Sequence, residues 1–316
     1  MPRNDVLIID YKISKVIIKF SNYFQMKDNS ISKTAQYIAL FRAIETNQPK
    51  EKRLFKDDLA INFLDSYLKN SVKITTLPIV GELLINFIQR KGLGALSSSI
   101  ARTKYIDDLL KQSIDNGVKQ VIILGAGFDT RSIRLDFMQN ISVIEIDHPD
   151  TSKFKIKKLK TSLKQLPTNT QYLQLDFNKQ TLADFAVEQN LNFSIPTTII
   201  WEGVTSYLPQ EAIDATFEFV KKFTSNSYII FTYLHKLVLD NPQSFKGTEK
   251  LLKILKESEE KWISGFYPEK LPDYLKAFDL KLIEDNGAEE YRNKYISERK
   301  KLLNGFEFHR VAFAKK

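Results

Sequence analysis

The sequence predicts an α/β fold in which a seven-stranded, mostly parallel sheet follows a helical N-terminal third, and three observations carry this reading. At Lys119 the apolar spacing changes from mixed three- and four-residue steps to short β-branched runs. Five of those runs are separated by stretches with helical patterning, the grammar of βαβ units whose parallel strands are buried on both faces. The first run leads straight into a glycine turn, VIILGAGFDTR at 121–131.

Taken in chain order, ISKTAQYIALFRAIE (31–45) has amphipathic helical spacing, with Ser30 or Ser32 available as a cap and Pro49 as a stop. LFKDDLAINFLDSYL (54–68) reads as a second helix, and 79–88 as an apolar segment entering a loose linker, KGLGALSSS. A further helix is predicted over 101–116, ending at Gly117. Strands are predicted at 120–124, 142–147, 171–176, 197–202, 228–233, 280–284 and 308–314. The last two, joined by a charged, turn-like stretch over 285–305, are candidates for antiparallel pairing. Residues 1–117 then form a helical cap, 118–316 a core, and 235–278, longer than one crossover requires, a lid for substrate.

Composition excludes several classes. The chain has 316 residues, of which 43% are hydrophobic and 27% charged, enough apolar material for a full core. Without Cys there are no disulfides, thiolate sites or Cys nucleophiles, and His148, His235 and His309 are too scattered for a zinc site, so no metal is expected. No stretch approaches the roughly 18 apolar residues of a spanning helix. The opening MPRNDVLIIDYKISKVIIKF is broken by Asp10, Lys12, Lys15 and Lys19, and the expectation is a cytoplasmic protein without membrane association. The net charge of +9 raises the question of nucleic acid. The densest basic run, Lys153 to Lys164, is almost all Lys without interleaved aromatics, and reads as a solvated helix face.

The chemistry-bearing positions follow the strand ends. Gly125-Ala126-Gly127 permits a tight turn and close approach of backbone to a ligand at a helix start. The third glycine of a dinucleotide fingerprint would fall at Thr130, which argues against NAD and for a ligand without a diphosphate. Asp147, twenty residues after Gly127 in VIEIDHP, is placed to accept from both ribose hydroxyls of an adenosine, with His148 packing beside it. Asp176 and Phe177 in LDF suit an adenine amino group and its ring face. Glu202 in WEGVTSYLP is costly to bury unless it meets a cation or hydrogen-bond donors, and an ammonium or sulfonium ligand would supply that partner.

Together GAGFDTR, EIDHP, LDF and WEGVTSYLP, with SKTAQYIALFRAIE, LFKDDLA and ARTKYIDDLL upstream, resemble the leucine carboxyl methyltransferase family, and within it the bacterial-type S-adenosylmethionine-dependent O-methyltransferases. The resemblance covers the chain from about Ser30 onward. It implies a class I methyltransferase (Rossmann-like) sheet with a helical N-terminal cap, and S-adenosyl-L-methionine as cofactor. It further implies that Arg102 holds the methionine carboxylate, Gly125 lies beside the methionyl moiety, Asp147 binds ribose, Asp176 and Phe177 bind adenine, and Glu202 lies near the methionyl end. Asp129-Thr130-Arg131 would lock the glycine loop. Thr205-Ser206 stands where bulkier apolar residues are expected.

The expected reaction is in-line transfer of a methyl group to an oxygen, carboxylate or phenol/enol, of a small molecule. A carboxylate needs no base; for a hydroxyl the nameable candidates are His148, His235, Glu202 and Tyr207, with Glu202 and Tyr207 the proposed positioning groups. Arg42 or Arg131 would suit an anionic acceptor. Competing expectations are an RNA or protein methyltransferase docking through the Lys run, or a binding protein without turnover.

Overall fold

The computed structural model describes residues 33–177, 179–256, 261–302 and 304–316. The candidate caps Ser30 and Ser32 lie outside them. Helices α1 (Lys33–Thr46), α2 (Ser66–Ile74), α3 (Val80–Lys91) and α4 (Ala95–Asp115) precede a seven-stranded sheet. Its strands are β1 (Gln120–Leu124), β2 (Ser142–Asp147), β3 (Thr170–Gln174), β4 (Thr197–Trp201), β5 (Tyr228–Leu234), β6 (Lys281–Gly287) and β7 (His309–Lys315). The short helix α5 (Arg131–Arg134) follows β1, α6 (Pro149–Ser162) follows β2, α7 (Leu182–Glu188) follows β3 and α8 (Gln210–Lys221) follows β4. After β5 come α9 (Leu237–Asp240), α10 (Thr248–Lys256) and α11 (Leu271–Lys276), and α12 (Ala288–Ile296) joins β6 to β7.

The sheet order is β3-β2-β1-β4-β5-β7-β6. Strands β1 to β5 run parallel, whereas β7 is antiparallel to both neighbours and inserts between β5 and β6. This is the arrangement that the family resemblance implies. The order reverses at β1, between β2 and β4, which opens a crevice at the carboxyl ends of the strands. Every residue of β1, β4 and β5 is buried, so their continuous β-branched and aromatic runs fit strands covered on both faces. On one face Phe217 and Ile213 of α8, Phe185 of α7 and Leu275 of α11 pack on Ile122, Ile199 and Phe231. On the other, Tyr105 and Leu109 of α4 and Tyr291 of α12 cover Val121, Ile230 and Phe313. A third apolar cluster joins α1 to α3 with the first turns of α4 and reaches the glycine loop at Phe128.

Several boundaries differ from the sequence reading. The helix predicted over 54–68 is divided by two aspartates. Asp57 accepts from the amides of Leu59 (3.2 Å) and Ala60 (3.1 Å), setting up a 3₁₀ turn at Ala60–Phe63. Asp65 caps α2 through the Leu68 amide at 2.8 Å. Local carboxylate–amide bonds here outcompete a continuous helix. The linker KGLGALSSS is a linker only to Gly94; Ala95 to Ser99 already belong to α4. Over 285–305 the expected turn contains the end of β6 and all of α12. The strand read to Asp176 ends at Gln174. Along the Lys run, Lys153, Lys157, Lys160 and Lys164 are exposed, but Lys155 is buried and paired with Glu145 of β2. That ion pair, not surface solvation, accounts for Lys155.

A long-range clamp explains two of the glycines. Gly94 at φ +96° and Gly305 at φ +102° face each other, and a Cβ on Gly305 would lie 1.9 Å from the Leu93 carbonyl oxygen. Gln89 closes the same contact, donating to the carbonyls of Leu302 (3.3 Å) and Asn304 (3.2 Å). The turn before β7 is thereby fixed to the start of α4. Gly305→Ala combines backbone strain with a backbone clash and is expected to cost about 2 kcal/mol or more. Denaturant titration should show a lower midpoint with an unchanged slope.

Candidate functional site

At the strand ends, the glycine loop and β2 meet through Asp147. Gly125 (φ +62°) and Gly127 (φ +47°) take left-handed conformations that place the Gly127 amide on Asp147 Oδ2. The His148 amide donates to Oδ1 at 2.6 Å. A side chain at Gly125 would also meet Val204 Cγ2 at 2.6 Å, so the loop packs closely against the segment after β4. Burial raises the Asp147 pKa, and the two backbone hydrogen bonds only partly oppose it. Ala126 is buried at the loop's centre. His148 is exposed and caps α6, accepting from the Asp150 amide, and its Nε2 stands 4.0 Å from the Asp176 carboxylate. Asp176 also pairs with Lys179 at 3.0 Å, and Phe177 is 51% exposed beside it.

The larger feature is a buried set of arginines and carboxylates. Arg131, which opens α5, bonds Asp107 of α4 through Nε at 2.8 Å, Glu202 after β4 through Nη2 at 2.9 Å, and Asp129 through Nη1. Arg134 adds a second bond to Asp107 at 2.7 Å, and Arg102 of α4 meets the other Glu202 oxygen through Nε at 2.8 Å. Across the loop, Arg42 of α1 bonds Asp57 at 2.8 Å and the Phe128 carbonyl at 2.5 Å, while Thr130 donates to Asp57 at 2.7 Å.

Sequence reasoning left Glu202 in need of a cation from a ligand, whereas the protein itself supplies two. Burial pushes its pKa up, but Arg131 and Arg102 outweigh burial and hold it below the usual glutamate range. Arg42 and Arg131, considered as partners for an anionic acceptor, are both committed to internal carboxylates. Asp107 and Asp57 were not singled out in the sequence reading, and Lys155 was read there as part of a solvated helix face. The only available signal was Asp107 in ARTKYIDD, spaced like any amphipathic helix residue.

Arg102 spends Nε on Glu202 and directs Nη1 at His309 Nε2, 3.4 Å away, which leaves Nη2 uncommitted among the described residues. Tyr207 closes the 3₁₀ turn Thr205–Tyr207, and the Thr205 hydroxyl donates to the Thr232 carbonyl at 2.6 Å. Thr205-Ser206 therefore serves the backbone: the Ser206 carbonyl accepts from the Ile263 amide at 2.8 Å and ties the segment following α10 to the β4 end. His235, at the end of β5, accepts from the Leu237 amide and stacks edgewise on Phe245 and Tyr267; burial lowers its pKa, keeping it neutral near pH 7.

A family model described as leucine carboxyl methyltransferase matches residues 35–221, more than half of the chain. A Streptomyces avermitilis protein provisionally named as an S-adenosyl-L-methionine-dependent methyltransferase is 28% identical over 190 residues, covering 60% of this chain and 64% of its own length. A Bacillus subtilis protein, YktD, of the same provisional name is 27% identical over 223 residues, 69% of this chain and 72% of its own. For the first three relatives the matched span covers 64%, 61% and 65% of their length, just under two thirds. Among solved structures, a Thermobifida fusca protein provisionally described as a methyltransferase superposes with a TM-score of 0.53 at 17% identity, over 92% of this chain and 96% of its own. At that identity the likeness concerns the fold alone. No helix among the described residues is long and apolar enough to cross a membrane.

The carboxylates in the network set an acid limit. The Asp129 carboxyl is driven up by burial, but Arg131 and the other cations bring it down to about 2. A carboxylate whose folded pKa is depressed adds stability above its unfolded value, and that stability is lost as pH falls through the folded value. Unfolding free energy should therefore drop between about pH 4 and pH 2, with Asp129 contributing about 2 kcal/mol of the change. Asp129→Asn should flatten the pH dependence of the melting temperature over that range; an unaltered slope would count against the pairing.

Proposed function

The chain belongs to the leucine carboxyl methyltransferase family, and from that premise we propose that it is an S-adenosyl-L-methionine-dependent methyltransferase acting on an oxygen of a small molecule. The observation that carries the reading is that, at the carboxyl ends of the strands, the glycine loop holds an aspartate and a half-buried glutamate holds an arginine. Each oxygen of Asp147 takes one backbone hydrogen bond and keeps a lone pair for a ribose hydroxyl. Arg102 Nη2 suits the cofactor's amino-acid carboxylate, and Phe177 offers an exposed ring to adenine beside Asp176 and His148. Gly125, Ala126 and Gly127 supply a loop without bulk, and Thr130, turned to Asp57, closes the place where a third dinucleotide glycine would stand.

When bound, the cofactor supplies a methyl group already activated on a sulfonium, so transfer by in-line displacement requires neither a thiol nor a redox change. The protein's part is positioning, and holding an oxygen nucleophile in near-attack geometry is worth on the order of 7–11 kcal/mol. Glu202 acts by orienting Arg102, and Tyr207 by shaping the turn beside it. A carboxylate or pre-ionised oxygen acceptor needs no base. For a hydroxyl acceptor, His235 is neutral and stands at the end of β5, where the segment 235–278 that we assign as lid begins. A nucleic-acid acceptor is less well supported, because the basic run that would dock it gives Lys155 to an internal pair.

Asp147→Ala should weaken S-adenosylmethionine binding by about 1–3 kcal/mol in calorimetry, since the ribose hydroxyls lose an ionised acceptor; unchanged affinity would remove Asp147 from the site. NAD should not bind. Incubation with methyl-labelled cofactor and a metabolite extract should label a small molecule, and alkali lability of the label would identify a methyl ester. Label found only in RNA or protein would overturn the small-molecule assignment.

A further inference from the structure

His309 is the first residue of β7 and lies outside the span that the family model matches. It reaches the site because β7 is antiparallel, which brings its N-terminal end to the edge where the parallel strands finish. The turn before it is anchored from two sides. Gly305 is locked against Leu93 and Gly94, and Arg292, fully buried, donates to the Gly305 carbonyl and to Glu307 at 3.3 Å. Phe306, at φ +60°, stacks on the His309 ring with centroids 6.2 Å apart and planes 15° from parallel. The ring is thus held from one face, with Nε2 directed at Arg102 Nη1, 3.4 Å away.

The proton inventory makes this contact directional. Arginine is a donor only, so Nε2 must be the acceptor and the ring proton must sit on Nδ1. His309 Nδ1 is enclosed and has no partner among the described residues. Burial, together with the Arg102 charge, holds the imidazole pKa well below its ordinary value and keeps the ring neutral. A neutral acceptor orients Arg102 without quenching its charge, which a second carboxylate in that place would do. Glu202 is already shared between Arg102 and Arg131.

We propose that His309 is a positioning residue for Arg102, fixing the guanidinium, together with Glu202, so that Nη2 faces the amino-acid carboxylate of the bound nucleoside cofactor. This rests on the cofactor reading above. The role is specific to one end of the ligand: His309 acts on what Arg102 holds and leaves the ribose and adenine contacts untouched.

The test compares two ligands that share the nucleoside, S-adenosylmethionine and 5′-methylthioadenosine, which lacks the amino acid. His309→Leu should weaken S-adenosylmethionine about tenfold in calorimetry and leave 5′-methylthioadenosine within about twofold. His309→Gln, whose amide oxygen reaches the Nε2 position, should recover the parent affinity, and His309→Asn, whose oxygen does not, should behave as the leucine variant. Equal weakening of both ligands, or no recovery in the glutamine variant, would make His309 merely structural and overturn the proposal. So would parent-like affinity in the leucine and asparagine variants. Failure of the parent to bind either ligand would overturn the cofactor reading, and this proposal with it.

Discussion

Arg131 is the constraint on which the site depends. A guanidinium with three nitrogens bonded to three carboxylates, from α4, the glycine loop and the β4 end, can exist in the interior only because all of them are present together. Arg102, Arg131 and Arg134 balance Asp107, Asp129 and Glu202, three charges against three. Removing one partner would leave an uncompensated buried charge, which typically costs 3–5 kcal/mol, on the order of a large share of a domain's stability. Such a network buys geometric definition: it fixes the loop's path, the tilt of α4 and the rotamer of Glu202 in one step.

From that anchor the rest of the site follows by contact. The loop, fixed at Asp129 and Arg131, carries the Gly127 amide to Asp147. Arg42 and Thr130, both bound to Asp57, tie the helical layer to the loop's outer side. Glu202, fixed by Arg131, presents its other oxygen to Arg102, and the glycine clamp at Gly94 and Gly305 brings the C-terminal turn onto the same helix. Helical layer, sheet and C-terminal turn therefore converge on one edge of the sheet, although the residues involved span most of the chain.

The sheet was largely legible in the sequence because buried parallel strands leave continuous β-branched runs, and each of the seven was located, the third ending two residues early. Helix boundaries were less legible. Asp57 and Asp65 read as polar positions of an amphipathic helix, yet they act as caps, and periodicity does not register which amide a carboxylate takes. The sequence also marked the carboxylates at the strand ends but not their partners. Nothing local to Glu202 shows that its cations come from positions 102 and 131, and nothing local to Lys155 shows that it faces Glu145 across a strand–helix contact. The +9 charge reads as a surface property, and the internal cations do not change that: Arg102, Arg131, Arg134 and Lys155 are matched by internal carboxylates, so the misreading was confined to Lys155 itself.

The most direct measurement is a crystal structure of the protein with S-adenosylhomocysteine bound. The ribose hydroxyls are expected within hydrogen-bond distance of Asp147 and the amino-acid carboxylate on Arg102 Nη2, with the bonds from Glu202 to Arg102 and Arg131 retained. Density for the ligand elsewhere, or a Glu202 that leaves both arginines to meet the ligand itself, would contradict the account.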